Sequence, residues 1–306
     1  MNLQQLRCIC EVAQQGLNLS RAAKTLFTSQ PGISRQILQL EEELGVKVFE
    51  RSGKRLVAVT EPGQEILRIA QRVLLDARSL KEVGQEFSQA ASGELTIATT
   101  HTQARYVLPQ VIKRFMKRYP KVKLSLRQGN PNEIAQMAIN GQADFAIATE
   151  AIARYEQLVS FECYQWNRCI LVLPGHPLLK EKPVTLEALA RYPIITYDLN
   201  FAGRSLMNKA FEAKGLTPNV ALAAIDADVI KTYVGLGLGI GIVAAMAYDK
   251  AQDRAFRMMD ASHLFEPSIT RLGIRRHGYL RAYAYDFIEM FAPHLNHRTI
   301  ADALHQ

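Results

Sequence analysis

The feature that most constrains this chain is a tract near its N-terminus, Asn18-Leu19-Ser20-Arg21-Ala22-Ala23, followed by Ser29-Gln30-Pro31-Gly32-Ile33-Ser34-Arg35-Gln36-Ile37. It reads as two helices joined by a short turn. Asn18 is placed to cap the first helix, and Ala22 and Ala23 are small enough to let two helices cross closely. Thr28 or Ser29 caps the second, and Pro31 falls in its first turn, where a missing N–H costs nothing. Ile33, Ile37, Leu40 and Leu44 recur at helical spacing and are expected to face a core. That leaves Gln30, Ser34 and Arg35 outward, with Ser20, Arg21, Ser29 and Pro31 around the same turn. Side chains of this kind read base edges or grip phosphates from a helix-turn-helix, so a DNA duplex is the expected partner.

The next segments extend that reading. Val46–Arg51 and Leu56–Thr60 alternate like strands, and Ser52-Gly53-Lys54-Arg55 between them makes a tight basic turn, a hairpin wing. Arg51, Lys54 and Arg55 suit phosphate contacts, which carry affinity rather than sequence information. Residues 61–89 then read as one helix, with Ile66, Ile69, Ala70, Val73, Leu74, Ala77, Leu80 and Val83 forming an apolar stripe. At 1.5 Å per residue it would run roughly 40 Å, too long for a small winged domain, so the stripe is expected to pair two chains. Ser88-Gln89-Ala90-Ala91-Ser92-Gly93 is small and polar, and reads as a hinge.

From Glu94 strands and helices alternate. Strands are expected at Glu94–Thr99, Val122–Gln128, Asp144–Thr149, Cys169–Pro174, Ile194–Tyr197 and Ile240–Ala244. Helices are expected at Tyr106–Tyr119, Pro131–Asn140, Ser205–Lys214 and Val229–Gly235, two of them closed by Gly141 and Gly215. This order argues for a doubly wound α/β fold. Thr99-Thr100-His101-Thr102-Gln103-Ala104-Arg105 lies where a strand gives way to a helix, the usual ligand position in such a sheet and a natural anion site. Thr100, Thr102 and Gln103 add neutral donors there, and the strand ends Thr149 and Thr196 would point into the same cleft. On residue types alone, threonines that merely cap helices and end strands account for the same pattern.

Bulk properties narrow the classes. The 306 residues suffice for two or three domains, and the net charge of +8 favours polyanionic partners. Met1-Asn2-Leu3-Gln4-Gln5-Leu6 lacks a secretory pattern and no apolar stretch reaches transmembrane length, so a cytoplasmic protein with no membrane partner is expected. Cys8 and Cys10 lie two apart on a helix and diverge around its axis, while Cys163 and Cys169 have no histidine at ligand spacing; reduced thiols and no metal are expected. Catalysis is not expected either. There is no Gly-x-Ser-x-Gly elbow or HExxH, and Gly235-Leu236-Gly237-Leu238-Gly239 precedes a strand instead of following one.

Residues 1–60 resemble the winged helix-turn-helix of LysR-type transcriptional regulators, on the stretch from Ser20-Arg21-Ala22-Ala23 to Ser29-Gln30-Pro31. Thr60-Glu61-Pro62-Gly63 matches the step into that family's linker helix, and the resemblance runs the length of the chain. It implies a winged domain over 1–60, a linker and dimerisation helix with hinge over 61–92, and a two-lobed effector domain like a periplasmic binding protein over 93–306. Lobe I would take about 93–162 and 268–306 and lobe II about 163–267, with crossings near 161–165 and 266–269. Promoter DNA, RNA polymerase and a homodimer or homotetramer are the implied partners. Further stretches resemble the cysteine-regulon regulators of the family: Thr99–Tyr106, Ala146–Ala151, Tyr164-Gln165-Trp166-Asn167-Arg168 and Asp226–Val234. These imply an activator of sulfur assimilation and cysteine biosynthesis. Its effectors would be sulfate, thiosulfate and the inducer acetylserine, with no other cofactor. Thr100, Thr102, Gln103, Thr149 and Trp166 match the ligand-binding positions. Phe201-Ala202-Gly203-Arg204 departs from the pattern, because Ala202 replaces a hydroxyl residue and cannot donate. A regulator of another pathway, such as use of an alternative sulfur source, with a different small anionic effector is the competing reading.

Overall fold

Capping side chains set where the N-terminal helices begin. In the computed structural model, which describes residues 1–53, 55–88, 92–199 and 201–305, Asn2 and Gln5 form a reciprocal capping box that starts α1, Leu3–Gln14. Asn18 accepts the Arg21 N–H at 3.0 Å to start α2, Leu19–Thr25. The Ser29 hydroxyl accepts the Gly32 N–H at 3.2 Å to start α3, Gln30–Leu44, with Pro31 in its first turn. Strands β1, Phe49–Ser52, and β2, Arg55–Val59, form an antiparallel hairpin, followed by α4, Glu61–Ser88. Ile9, Val12, Ala22, Ile33, Ile37, Leu40 and Phe49 close one core, to which α4 adds Leu67 and Ala70.

Two local expectations fail in this unit. Leu44 is exposed, because the helix ends there and Gly45 turns the chain away in the left-handed region at φ 71°. Val46 to Val48 do not pair as a strand: Glu41, its side chain fully buried, accepts the Val48 and Phe49 N–H groups at 3.0 and 3.2 Å and holds this stretch against α3. The wing is therefore shorter than its alternation suggested.

Contact density separates Met1–Ser88 from Gln89–Gln306. The larger unit opens with β3, Gly93–Thr99, then a π-helical turn over Gln103–Val107 and α5, Leu108–Arg118. There follow β4, Val122–Gln128, α6, Pro131–Ile139, β5, Phe145–Ala148, β6, Leu158–Trp166, and β7, Arg168–Val172. Next come α7, Leu186–Ala190, β8, Ile194–Tyr197, α8, Ala202–Glu212, β9, Val220–Ala224, α9, Ala227–Gly235, and β10, Ile240–Ala244. The unit ends with β11, Arg257–Asp260, β12, Ser268–Arg275, α10, Ala282–Phe291, and α11, His297–His305.

These strands make two mixed five-stranded sheets, in the orders β4-β3-β5-β12-β6 and β11-β7-β10-β8-β9. Each sheet is one lobe. The chain leaves the first at Asn167, between β6 and β7, and returns between β11 and β12. The expected α/β lobes are present, and the first crossing falls a few residues later than expected because β6 continues to Trp166. The helix expected from Tyr106 starts as an α-helix only at Leu108, because the π-turn occupies its first residues. The helix expected from Ser205 begins earlier, at Ala202. Among the described residues, no helix is long and apolar enough to cross a membrane.

Candidate functional site

The N-terminal unit presents most of the expected DNA-facing residues on its surface. Ser20, Arg21, Ser29, Gln30, Pro31, Arg35 and Arg55 are exposed and Ser34 is half-buried. Their pairing is more restrained than the pattern alone suggested. The Ser20 hydroxyl donates to the Gln30 side-chain oxygen at 3.2 Å, linking the start of α2 to the start of α3. Ser29 spends its oxygen on the helix cap. Arg51, expected at the wing tip, sits half-buried in β1, with Nε and Nη2 shielded from solvent and without a hydrogen-bond partner among the described residues. Lys54 lies outside the described residues.

The larger unit holds a cleft of about 390 Å³, counting its open mouth, lined by Thr100, Thr102, Gln103, Thr149, Trp166, Tyr197, Phe201 and Gly203. Thr100, Thr149 and Tyr197 stand at the carboxyl ends of β3, β5 and β8, the edge of an open α/β sheet outside which ligands bind. Trp166 ends β6, and Gly203 lies in the first turn of α8, whose positive end therefore meets the cleft. The five effector residues implied by resemblance, Thr100, Thr102, Gln103, Thr149 and Trp166, thus share one wall system.

Their hydrogen bonds show which donors are committed. Gln103, almost wholly buried, donates through Nε2 to Thr270 at 3.2 Å and accepts from the Tyr164 hydroxyl. The Tyr197 hydroxyl accepts the Ala244 N–H at 3.3 Å on its own lobe, and Thr102 of the other lobe lines the same cleft. Burial pushes both Tyr164 and Tyr197 up to about 12, so each stays a neutral phenol at ordinary pH. The Trp166 indole N–H is buried and has no hydrogen-bond partner among the described residues. An indole N–H can only donate, so it is a donor awaiting an acceptor.

Thr196 does not join this wall. Its hydroxyl donates to the Ile242 carbonyl at 2.9 Å, deep between β8 and β10. Alternation along β8 sends Thr196 and Tyr197 to opposite faces, and it is Tyr197 that reaches the cleft. Ala202 is the first residue of α8, beside the cleft-lining Phe201 and Gly203. Tyr197 was within reach of sequence reasoning, as the last residue of an expected strand. The pattern did not say which face met the cleft.

A polar clasp joins the lobes beside the cleft. Tyr106 donates to Asp228 at 2.6 Å and accepts from Lys231 at 3.3 Å, Lys231 pairs with Asp253 at 2.8 Å, and Arg105 approaches Asp228 at 3.3 Å. Burial, then the bond to Asp228, raises the Tyr106 phenol well above its ordinary range. His101, Asp226 and Asp228 bring ligand-type atoms within 4.8 Å of one another. Their carboxylates are already engaged, Asp226 by the Val229 N–H and Asp228 by Tyr106 and Arg105, so a cation there would have to displace those partners.

Residues 3–64 match the profile of the bacterial regulatory helix-turn-helix protein, lysR family, and residues 88–296 match the LysR substrate binding domain. The chain is 54% identical over 306 residues to the HTH-type transcriptional regulator SsuR of Burkholderia cenocepacia, covering all of this chain and 99% of that protein. It is 52% identical over 304 residues to the HTH-type transcriptional regulator CysB of the same organism, covering 99% and 97%. Among solved structures, the cofactor-binding domain of the Cbl transcriptional regulator superposes with a TM-score of 0.68 at 44% identity, covering 70% of this chain and 95% of that one.

Proposed function

Since the chain belongs to the LysR family of transcriptional regulators, we propose that it controls genes of sulfur assimilation and cysteine biosynthesis in response to a small anion bound between its lobes. It is a DNA-binding regulator and not an enzyme. The observation that carries the effector reading is the cleft wall: among the described residues it presents hydroxyls, an amide, an indole N–H with no partner and a helix N-terminus, and no charged side chain. A fully ionised tetrahedral anion offers acceptors only, and this wall offers mainly donors. Sulfate and thiosulfate fit that chemistry, and acetylserine, with a carboxylate and an acyl oxygen, is the proposed inducer. The winged unit takes promoter DNA, with Arg35 and the start of α3 reading bases and Arg55 gripping phosphate. Paired α4 helices join two chains, two such pairs make a tetramer, and RNA polymerase is the proposed downstream partner in the cytoplasm.

A second reading is the same device serving genes for an alternative sulfur source, since the chain is similar at nearly equal identity to two differently named regulators, SsuR and CysB. Calorimetric titration with sulfate, thiosulfate and acetylserine, alongside gel shifts on a cysteine-gene promoter and a sulfonate-use promoter, separates the two. Binding of an anion in the cleft with preference for the cysteine-gene promoter supports the first reading. Binding of none of these ligands removes the anion assignment.

A further inference from the structure

Among the described residues the cleft has no charged side chain on its wall, but there is charge behind it. Arg168 opens β7 immediately after the chain leaves the first lobe, and it is only 3% exposed. Its Nε donates to the Gly203 carbonyl at 3.3 Å, Nη1 to the Glu266 carbonyl at 2.9 Å and Nη2 to the Ser268 hydroxyl at 2.8 Å. All three acceptors are neutral, and the guanidinium forms no salt bridge among the described residues. Its central carbon stands 5.4 Å from the Trp166 ring centroid, and a Cβ built on Gly203 would come within 3.3 Å of Nη2. Trp166 and Gly203 both line the cleft, so one layer of protein separates the cation from whatever occupies it.

A buried cation facing only neutral acceptors is unfavourable unless an anion balances it. Desolvation pulls its pKa down, while the nearby Glu150 carboxylate holds it up. Glu150 directly follows the wall residue Thr149; one of its oxygens accepts the Ile269 N–H at 2.6 Å and the other is buried with no hydrogen-bond partner among the described residues. Arg168 and Glu150 thus bring fixed charges of opposite sign close to the cleft without lining it, and the buried Arg204, whose Nη1 donates to the Tyr197 carbonyl at 3.2 Å, adds a second cation beside it.

Resting on the anionic-effector reading above, we propose that Arg168 is the counter-charge of the cleft, a positioning residue whose field selects a dianion through the Trp166–Gly203 wall while Glu150 tempers it. The same guanidinium ties the first crossing to the return strand, at Glu266 and Ser268, and to the start of α8. A ligand that settles in its field is thereby held against the elements that join the two lobes.

Calorimetry of the full chain with sodium sulfate at constant ionic strength tests this. Arg168→Gln should weaken sulfate binding by about tenfold or more, since a unit charge one layer away in a medium of effective dielectric near 20 is worth at least that against a dianion. Arg168→Lys, which keeps the charge but breaks the three-way fork, should stay within a few-fold of the unsubstituted protein. Glu150→Gln keeps the acceptor for Ile269 and removes a negative charge, so it should tighten binding. Equal losses in the Lys and Gln variants of Arg168 would mean that the clamp matters and the charge does not, which overturns the proposal. If Arg168→Gln does not fold, Glu150→Gln decides: unchanged or weaker sulfate binding overturns it as well. Failure of the unsubstituted protein to bind sulfate is a separate result, and it defeats the anion reading itself.

Discussion

Thr102 shows how much one hydroxyl decides. It immediately precedes the π-turn of one lobe and lines the cleft together with Tyr197 of the other, so its hydroxyl is placed to donate to a ligand held between the lobes. Thr102→Val keeps the shape and removes the donor. Sulfate affinity should fall by roughly 1.5–3 kcal/mol, about ten- to over a hundredfold, the cost of losing a hydrogen bond to a charged partner. Calorimetry showing unchanged affinity would place the anion elsewhere. Glu41 has a comparable role in the winged unit, where its buried carboxylate serves the Val48 and Phe49 N–H groups and pairs with Lys47 at 3.3 Å. Glu41→Ala leaves two buried donors unmet and should lower local stability by roughly 2–4 kcal/mol. Amide exchange at Val48 and Phe49 reads that directly; protection equal to the unsubstituted protein would deny Glu41 this role.

Among the elements, α4 is divided by what it packs against. Leu67 and Ala70 belong to the winged core, whereas Val73, Leu80 and Phe87 are exposed, Leu80 to 75% and Phe87 to 89%. Apolar side chains repeated along a solvent-facing helix are the seam of a helix pair. Placing Asp at both Val73 and Leu80 should bury two charges in each chain at that seam and separate the dimer. Sedimentation of the double variant as an unchanged oligomer would remove α4 from the interface. The π-turn at Gln103–Val107 is the other element with a divided role. Such turns are rare and cluster at functional positions. Here it carries Gln103 to the cleft and Arg105 and Tyr106 to the clasp with Asp228 and Lys231.

At the scale of the whole molecule, regulation requires that an inducer bind one arrangement of the regulator more tightly than another, since equal affinity shifts no equilibrium. Binding linkage makes the coupling reciprocal. Thr102→Val should therefore leave ligand-free promoter binding within about twofold while flattening the response to acetylserine by the factor lost in effector affinity. Gel-shift titrations with and without acetylserine read both quantities. A full inducer response in that variant would show that the cleft does not control DNA binding.

The chain by itself determined its helix-turn-helix, because Asn18, Ser29, Pro31 and the Ile33–Ile37–Leu40 stripe act through contacts within a few residues. It also determined the alternation of strands and helices after Glu94 and, through the resemblance, the residues Thr100, Thr102, Gln103, Thr149 and Trp166 that share the cleft. Strands β6 and β12 carry no such local signature. They are specified by pairing over more than a hundred residues, Ser268 opposite Trp166 and Arg275 opposite Leu158. Only the tertiary structure decided that Tyr197, and not Thr196, faces the cleft, because the alternation of a strand fixes opposite faces without naming which one is lined. It alone placed Arg168 behind Trp166 and Gly203, where residues far apart in sequence surround a charge. Short-range sterics and capping are written into neighbouring residues. The fields and faces of a cleft come from segments that meet only when the chain has folded.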